Sequence, residues 1–230
     1  MQTRTARLVA IGLSLLAISL VLAQDQKGKP LAMPTGGDSD TVEAKVGQAA
    51  PNFTLLDSAG KKHILADCKD KLVVLEWINQ QCPFSVKAVP IMKELRKKYD
   101  GKGIVWLGIE STFYRKPEEN AQYIKDKELN FPILMDNDGK IGRAYGAKVT
   151  PHMYVINKGQ LVYQGALQSK PGGSEQEAAP RNYVDEALAA VLAGKTVPVA
   201  ETTPWGCSVK YKPAPPHDDG DKPANDQKAK

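Results

Sequence analysis

The sequence predicts an α/β domain with a mixed central sheet flanked by helices. Two short apolar runs, Leu72–Ile78 and Ile104–Ile109, are separated by a segment of helical spacing. A hairpin signal, Asn157-Lys-Gly159, follows further on. Alternating strands and helices imply parallel strands joined by right-handed crossovers, and the hairpin adds antiparallel strands at one side. The length, 230 residues, suits one domain with tails, and 42% hydrophobic with 25% charged residues is ordinary globular composition.

The elements justify this in order. Gln24–Lys45 is rich in Gly, Pro, Asp and Lys without apolar periodicity and reads as a flexible linker, so order is expected from Val46. Pro51–Asp57 reads as a strand, Ser58-Ala-Gly60 as a turn and Lys62–Leu65 as its return. Leu72–Ile78 is the continuous apolar run expected of a strand buried on both faces. Phe84–Tyr99 has helical spacing, with Val86, Val89, Met92 and Leu95 apolar and Pro90 inside it as a kink signal. Ile104–Ile109 is a second buried strand, and Pro117–Lys127 is an amphipathic helix opened by proline. Phe131–Met135 reads as extended, Asp136–Gly139 as a turn and Ile141–Tyr145 as a short helix. The hairpin joins Met153–Ile156 to Gln160–Gln164, and Asn182–Ala193 is a helix ended by Gly194. Thr202–Tyr211 is too aromatic for a tail, whereas Lys212–Lys230 is Pro-, Asp- and Lys-rich and expected to be disordered.

Residues 1–23 have the layout of a secretory signal: Arg4 and Arg7, an apolar run Leu8–Leu22, and Val21-Leu22-Ala23 as a cleavage site. The run is shorter than the ~20 residues that span a bilayer, so no stable membrane span is expected once it is removed; an uncleaved anchor is the competing reading. No Cys follows it to carry a lipid. The net charge of +5 falls to +3 when the two arginines leave, and basic residues are interleaved with acidic ones. That pattern excludes a nucleic-acid footprint. A periplasmic or secreted protein is the expectation. There the cysteines Cys68, Cys82 and Cys207 meet a disulfide-permissive compartment, and an odd count leaves one thiol over.

Cys82 stands where a buried strand turns into a helix. Unpaired N–H groups and the positive end of the helix dipole favour thiolate there, and Pro83 fits the first helical turn. A buried, inert cysteine is the plain alternative. Glu76, set among Val, Leu, Trp and Ile, reads as buried, which raises its pKa and lets it accept a proton near neutral pH; a sheet-edge position would leave it solvated.

These residues resemble the thioredoxin superfamily, and within it the redoxin, or alkyl-hydroperoxide-reductase/thiol-specific-antioxidant, branch. The resemblance covers Val46–Tyr211 and rests on order. Glu76 lies six residues before Cys82 and Pro90 eight after it. Thr150-Pro151 matches the proline that in the superfamily takes a cis bond facing the cysteine, although a trans turn proline is commoner in general. Pro151–Gly159 with Gly165-Ala-Leu167 resembles the hairpin that follows, and Gly47–Pro51 with Phe53, Leu55, Asp57 and Gly60 resembles the opening hairpin. A thioredoxin-like fold is implied, with Cys82 attacking a disulfide or hydroperoxide, Glu76 accepting a proton and Pro151 shaping the docking edge. No organic cofactor is implied, and electrons would come from a partner thiol protein.

Two departures matter. Ser85 occupies the second position of the C-x-x-C that exchange enzymes use to release a mixed disulfide. Leu75 and Asn79 occupy the Pro and Thr positions of the peroxiredoxin pattern P-x-x-x-T-x-x-C. Cys207, in Thr202–Tyr211, resembles a C-terminal Gly-Cys pair of redoxin-like proteins and is the candidate resolving thiol. A structural Cys68–Cys207 disulfide is the competing pairing. A non-enzymatic reading also stands: a thioredoxin-fold client-binding module, or a soft-metal copper carrier using Cys82, His152 and Cys207. His152 reads equally as a surface residue, with His63 on a strand surface and His217 in the tail.

Overall fold

A computed structural model describes residues 43–170 and 180–213, to which everything below refers. Thr54–Leu56 (β1) and Lys62–Ile64 (β2) form an antiparallel pair, followed by a 3-10 turn at Leu65–Cys68. Leu72–Trp77 (β3), Pro83–Lys98 (α1), Val105–Glu110 (β4), Pro117–Asp126 (α2) and Ile133–Met135 (β5) alternate next. Then come Lys140–Ala144 (α3), Val149–Thr150 (β6), His152–Asn157 (β7), Gln160–Gly165 (β8), Tyr183–Leu192 (α4) and Cys207–Ser208 (β9).

The main sheet runs β5-β4-β3-β7-β8, with β3–β4 and β4–β5 parallel and β3–β7 and β7–β8 antiparallel. This is the mixed sheet that alternation plus a hairpin requires. Every residue of β3 is buried, as its apolar run demands of a central strand. Its side chains alternate between two cores. Val74 and Ile78 join Met92, Leu95, Tyr123 and Leu188 beneath α1, α2 and α4. Val73, Leu75 and Trp77 join Phe53, Tyr145 and Tyr154 on the other face. Each such aliphatic side chain taken fully out of water contributes about 1.5–3 kcal/mol.

Local signals set the ends of the elements. Lys158 and Gly159 both have positive φ (49° and 79°), the two-residue turn that suits a tight hairpin. Pro83 and Pro117 open α1 and α2, and the Lys116 N–H is held by Glu119 Oε2 at 2.8 Å. Asn182 caps α4 by accepting from the Asp185 N–H at 3.0 Å, and Gly194 (φ 67°) follows its end. Pro90 lies inside α1 as expected. Ala44 is buried and donates its N–H to the Ala144 carbonyl, so packing is already in place two residues before Val46. The signal segment, most of the linker and residues 214–230 of the tail lie outside the described residues.

The two-residue strands β6 and β9 escape periodicity. They pair antiparallel, Thr150 opposite Cys207 and Val149 opposite Ser208, and bring the C-terminal segment back onto the body. Val209 N–H to Lys148 O and Phe113 N–H to Lys210 O, both 3.0 Å, extend that attachment. The Tyr211 hydroxyl adds a bond to the Ala147 carbonyl at 2.8 Å.

Candidate functional site

β3 delivers the site. After Trp77 the chain turns tightly: Asn79 Oδ1 accepts from the Gln81 N–H at 2.8 Å and the Asn79 carbonyl accepts from the Cys82 N–H at 2.9 Å. Cys82 is the N-cap of α1, and its carbonyl accepts from the Val86 N–H. Ser85, at the position where a second cysteine would stand, is fully buried; its hydroxyl accepts from the Asn79 N–H at 3.2 Å. That serine therefore fastens the turn to the helix.

Cys82 is only 1% exposed. Its thiol donates to the Thr150 carbonyl at 3.0 Å, immediately before the Thr150–Pro151 cis peptide. Opposite Thr150 sits Cys207, close enough to Cys82 that the two thiols shift each other's pKa. Burial raises the Cys82 pKa. Hydrogen bonds from the Cys207 and Thr150 side chains and from the Ser85 and Cys207 N–H groups outweigh it and bring the thiol below the ordinary cysteine value. The Thr150 carbonyl works against this by accepting the proton, but several donors converge on one sulfur and the thiolate is favoured. Cys207 shifts upward, first because its proton is engaged by Cys82 and then by burial. One thiol of the pair is thus the acid and the other the proton holder. All three cysteines are free, and Cys68 packs against the opposite core, the one that includes Trp77.

Glu76 is 2% exposed, between Gly108 of β4 and Met153 of β7, and its Oε1 has no hydrogen-bond partner among the described residues. Burial pushes its pKa up to about 8. Pro151 lines a groove of ≈ 650 Å³ with Phe84, Lys87, Leu167, Lys170 and Trp205. Trp205 meets Phe84 edge-to-face at 5.6 Å and donates its indole N–H to the Gln168 carbonyl at 2.9 Å.

His152, a candidate metal ligand in the sequence, is buried. Its Nδ1 engages the Tyr154 hydroxyl at 3.0 Å and the Lys148 N–H at 3.4 Å. Burial, with Lys148 nearby, lowers its pKa to about 4, so the ring is neutral. Among the described residues no three His, Cys, Asp or Glu side chains gather as a metal site. His63 is not a free surface residue: it bonds Asp57 Oδ2 at 2.8 Å.

Sequence reasoning missed two buried polar groups. Trp77 Nε1 donates to Ser111 Oγ at 3.0 Å, which donates to Asp136 Oδ2 at 2.6 Å. Glu110, Arg115, Asn120 and Tyr123 form a second layer beside Glu76. For Glu110 the signal was present: like Glu76, it stands at the end of an apolar strand run.

Fold and site together define a thioredoxin-superfamily protein of the redoxin branch. The model of the AhpC/TSA family matches residues 46–164, and the chain belongs to that family. Among curated relatives, the thiol-disulfide oxidoreductase ResA of Bacillus thuringiensis is 33% identical over 120 residues, covering 52% of this chain and 68% of that one. The thioredoxin-like protein YneN of Bacillus subtilis is 33% identical over 128 residues, covering 54% and 74%. Among solved structures, a hypothetical protein of Sinorhizobium meliloti superposes with a TM-score of 0.66 at 26% identity, covering 75% of this chain and 97% of its own. Cys207 lies beyond the stretch that the family model matches.

Proposed function

We propose that the chain is an exported thiol–disulfide oxidoreductase in which Cys82 attacks a client disulfide and Cys207 resolves it. The observation that carries this reading is the approach of Cys207, opposite Thr150 on β9, to the Cys82 thiol that donates to the Thr150 carbonyl, each thiol shifting the pKa of the other. A thiol–disulfide oxidoreductase activity in relatives such as ResA supports the reaction class. Residues 1–23 would act as the export signal, 24–45 as linker, 46–211 as the redoxin domain and 212–230 as tail.

The Cys82 thiolate attacks one client sulfur, forming a Cys82–client bond and breaking the client disulfide; the departing client thiolate takes a proton. Cys207 then gives its proton to the ionised form of Glu76, which becomes populated as pH approaches 8, and attacks Cys82 Sγ, forming the Cys82–Cys207 disulfide and releasing the second client thiolate. The client gains two electrons and the cysteine pair loses them, to be restored by a partner dithiol protein. The groove beside Pro151, apolar with Lys87 and Lys170 at its edges, would seat the client segment.

The test is a Cys207→Ser variant mixed with a small aromatic disulfide, together with peptide mapping of the oxidised wild type. The expected results are a mixed disulfide trapped on Cys82 and a Cys82–Cys207 peptide. A Cys68–Cys207 peptide, or no trapped adduct, overturns the assignment. Repeating the assay with a hydroperoxide measures whether the same thiol also forms a sulfenic acid.

A further inference from the structure

Glu76 is not the only carboxylate on its face of the sheet. Val74 of β3, Ile78 just after that strand and Trp106 of β4 lie in the core beneath α1, α2 and α4, so by alternation Glu76 and Glu110 face it as well. Glu76 stands opposite Gly108, which places Glu110 one diagonal step along the neighbouring strand. From above, α2 contributes Asn120 and, one turn later, Tyr123, and the loop before it contributes Arg115. All five side chains are more than nine-tenths buried.

This layer is rich in unpaired polar atoms. Glu76 Oε1, Glu110 Oε2, Arg115 Nε and Nη2, Asn120 Oδ1 and the Tyr123 hydroxyl have no hydrogen-bond partner among the described residues. More than about nine in ten buried polar groups are paired in folded proteins, so such a concentration marks a place built to hold polar ligands, ordered water above all. The layer also has an outlet. Arg115 lies 3.7 Å from Glu110 Oε2 through Nε, and its Nη1 holds Glu119 Oε1 at 2.8 Å, a carboxylate 46% exposed on α2. Among the described residues none of α2 lines the groove beside Pro151, so this outlet stays open when that groove is filled.

We propose that Glu110 and Tyr123 are the inner stations of a water-bridged proton relay that links Glu76 to the surface at Glu119. The proposal rests on the reading of Glu76 as the acceptor of the Cys207 proton. That proton cannot return through a groove occupied by client. It passes from Glu76 by way of Tyr123 to Glu110 and leaves beside Arg115, with no change of oxidation state in the relay. The proton affinities suit the task. Glu76 sits at about 8, and Glu110 at about 7, raised by burial against the Thr112 hydrogen bonds and the Arg115 charge. A proton moves between them nearly level. Tyr123, raised to about 12 by burial and by the charges of Glu76, Cys82 and Glu110, passes protons as a neutral hydroxyl. The groups facing Glu110 are therefore Glu76 from β3, Thr112 and Arg115 from the loop, and Glu119 and Tyr123 from α2.

The experiment is single-turnover reduction of a small aromatic disulfide by full-length protein, following release of the second thiol, with Glu110→Gln, Tyr123→Phe and the double variant. Both single changes keep side-chain shape, and glutamine retains the oxygen that accepts from the Thr112 N–H. Each is expected to slow the second release about tenfold, within the range that positioned proton transfer contributes. Glu110→Gln is also expected to remove the ionisation near 7 from the pH profile of that step. The double variant should lose no more than either single one, because the two residues lie on one path. Wild-type rates and an unchanged profile in both single variants overturn the relay. Failure of Cys207→Ser to trap an adduct instead overturns the underlying disulfide chemistry, so the two failures are distinguishable.

Discussion

Glu76 leaves a signature in stability that is independent of any substrate. Its carboxyl is held at about 8 in the folded chain against 4.5 for an ordinary glutamate, by burial. A folded group with the higher pKa keeps its proton while the unfolded chain has lost it. The stabilisation is therefore complete below about 4.5 and is lost as pH rises towards 8. Between pH 4.5 and 7 the gap is 2.5 units, and at 1.36 kcal/mol per unit wild-type stability falls by about 3 kcal/mol from this group. Glu76→Gln has no such ionisation. The difference in stability between wild type and variant should change by that about 3 kcal/mol across the window, whatever offset the amide adds at any one pH. Urea unfolding of reduced protein measures it. With a slope of about 2 kcal/mol/M, the wild-type midpoint should drop about 1.5 M more than that of the variant. Glu110 titrates in both proteins and cancels. Parallel pH profiles would refute the reasoning, because they require a carboxylate that is hydrated in the folded state.

Two further substitutions probe the frame around the thiols. Asp136→Ala strips the acceptor from Ser111 Oγ and from the Ile141 and Gly142 N–H groups at 2.6, 3.1 and 2.8 Å, and should destabilise the fold by about 3 kcal/mol in chemical denaturation. Asp136→Asn, which keeps an oxygen in place, should recover most of that loss; equal losses in the two variants would contradict the assignment. Gly206 has φ 157°, and a Cβ there would run into the Thr150 carbonyl. Gly206→Ala should push Cys207 off register and weaken formation of the Cys82–Cys207 disulfide in glutathione buffers about tenfold or more, about 1.4 kcal/mol. An unchanged equilibrium would mean that β9 does not position the thiol.

The central sheet was legible because burial on both faces forces a continuous apolar run, and the runs that became β3 and β4 have that form. Cys82 was legible as a strand-to-helix thiol, and the acid six residues earlier stood out because a carboxylate inside an apolar run has nowhere solvated to go. His152 was not legible. One histidine beside a proline carries no period, and only the tertiary pairing of its strand with β3 shows the ring turned onto Tyr154. The polar layer around α2 was hidden for a related reason: Glu119, Asn120 and Tyr123 read in sequence as part of an amphipathic helix, and Arg115 as part of the loop before it. Only the packing of α2 against β5 turns part of that helix inward. β6 and β9 were illegible because two residues cannot display a strand period, and their pairing joins positions 57 residues apart.

Ser85 and Cys207 are best understood together. A second thiol one helical turn after Cys82 would share its backbone donors, but the position is occupied by a hydroxyl that binds the Asn79 N–H. That bond fixes the turn in which Cys82 receives its N–H groups, so the serine has a structural task that a weakly accepting thiol would perform poorly. The second sulfur arrives instead on β9, from a segment whose attachment consists of short backbone pairings and single side-chain bonds. Two-residue strands open more readily than the five-stranded sheet, because few hydrogen bonds and little apolar area hold them. The thiol pair therefore combines a rigid partner, anchored by α1 and β3, with one that can move away. A client sulfur reaching the buried Cys82 needs such a movement, and Cys207 can complete an exchange on its return.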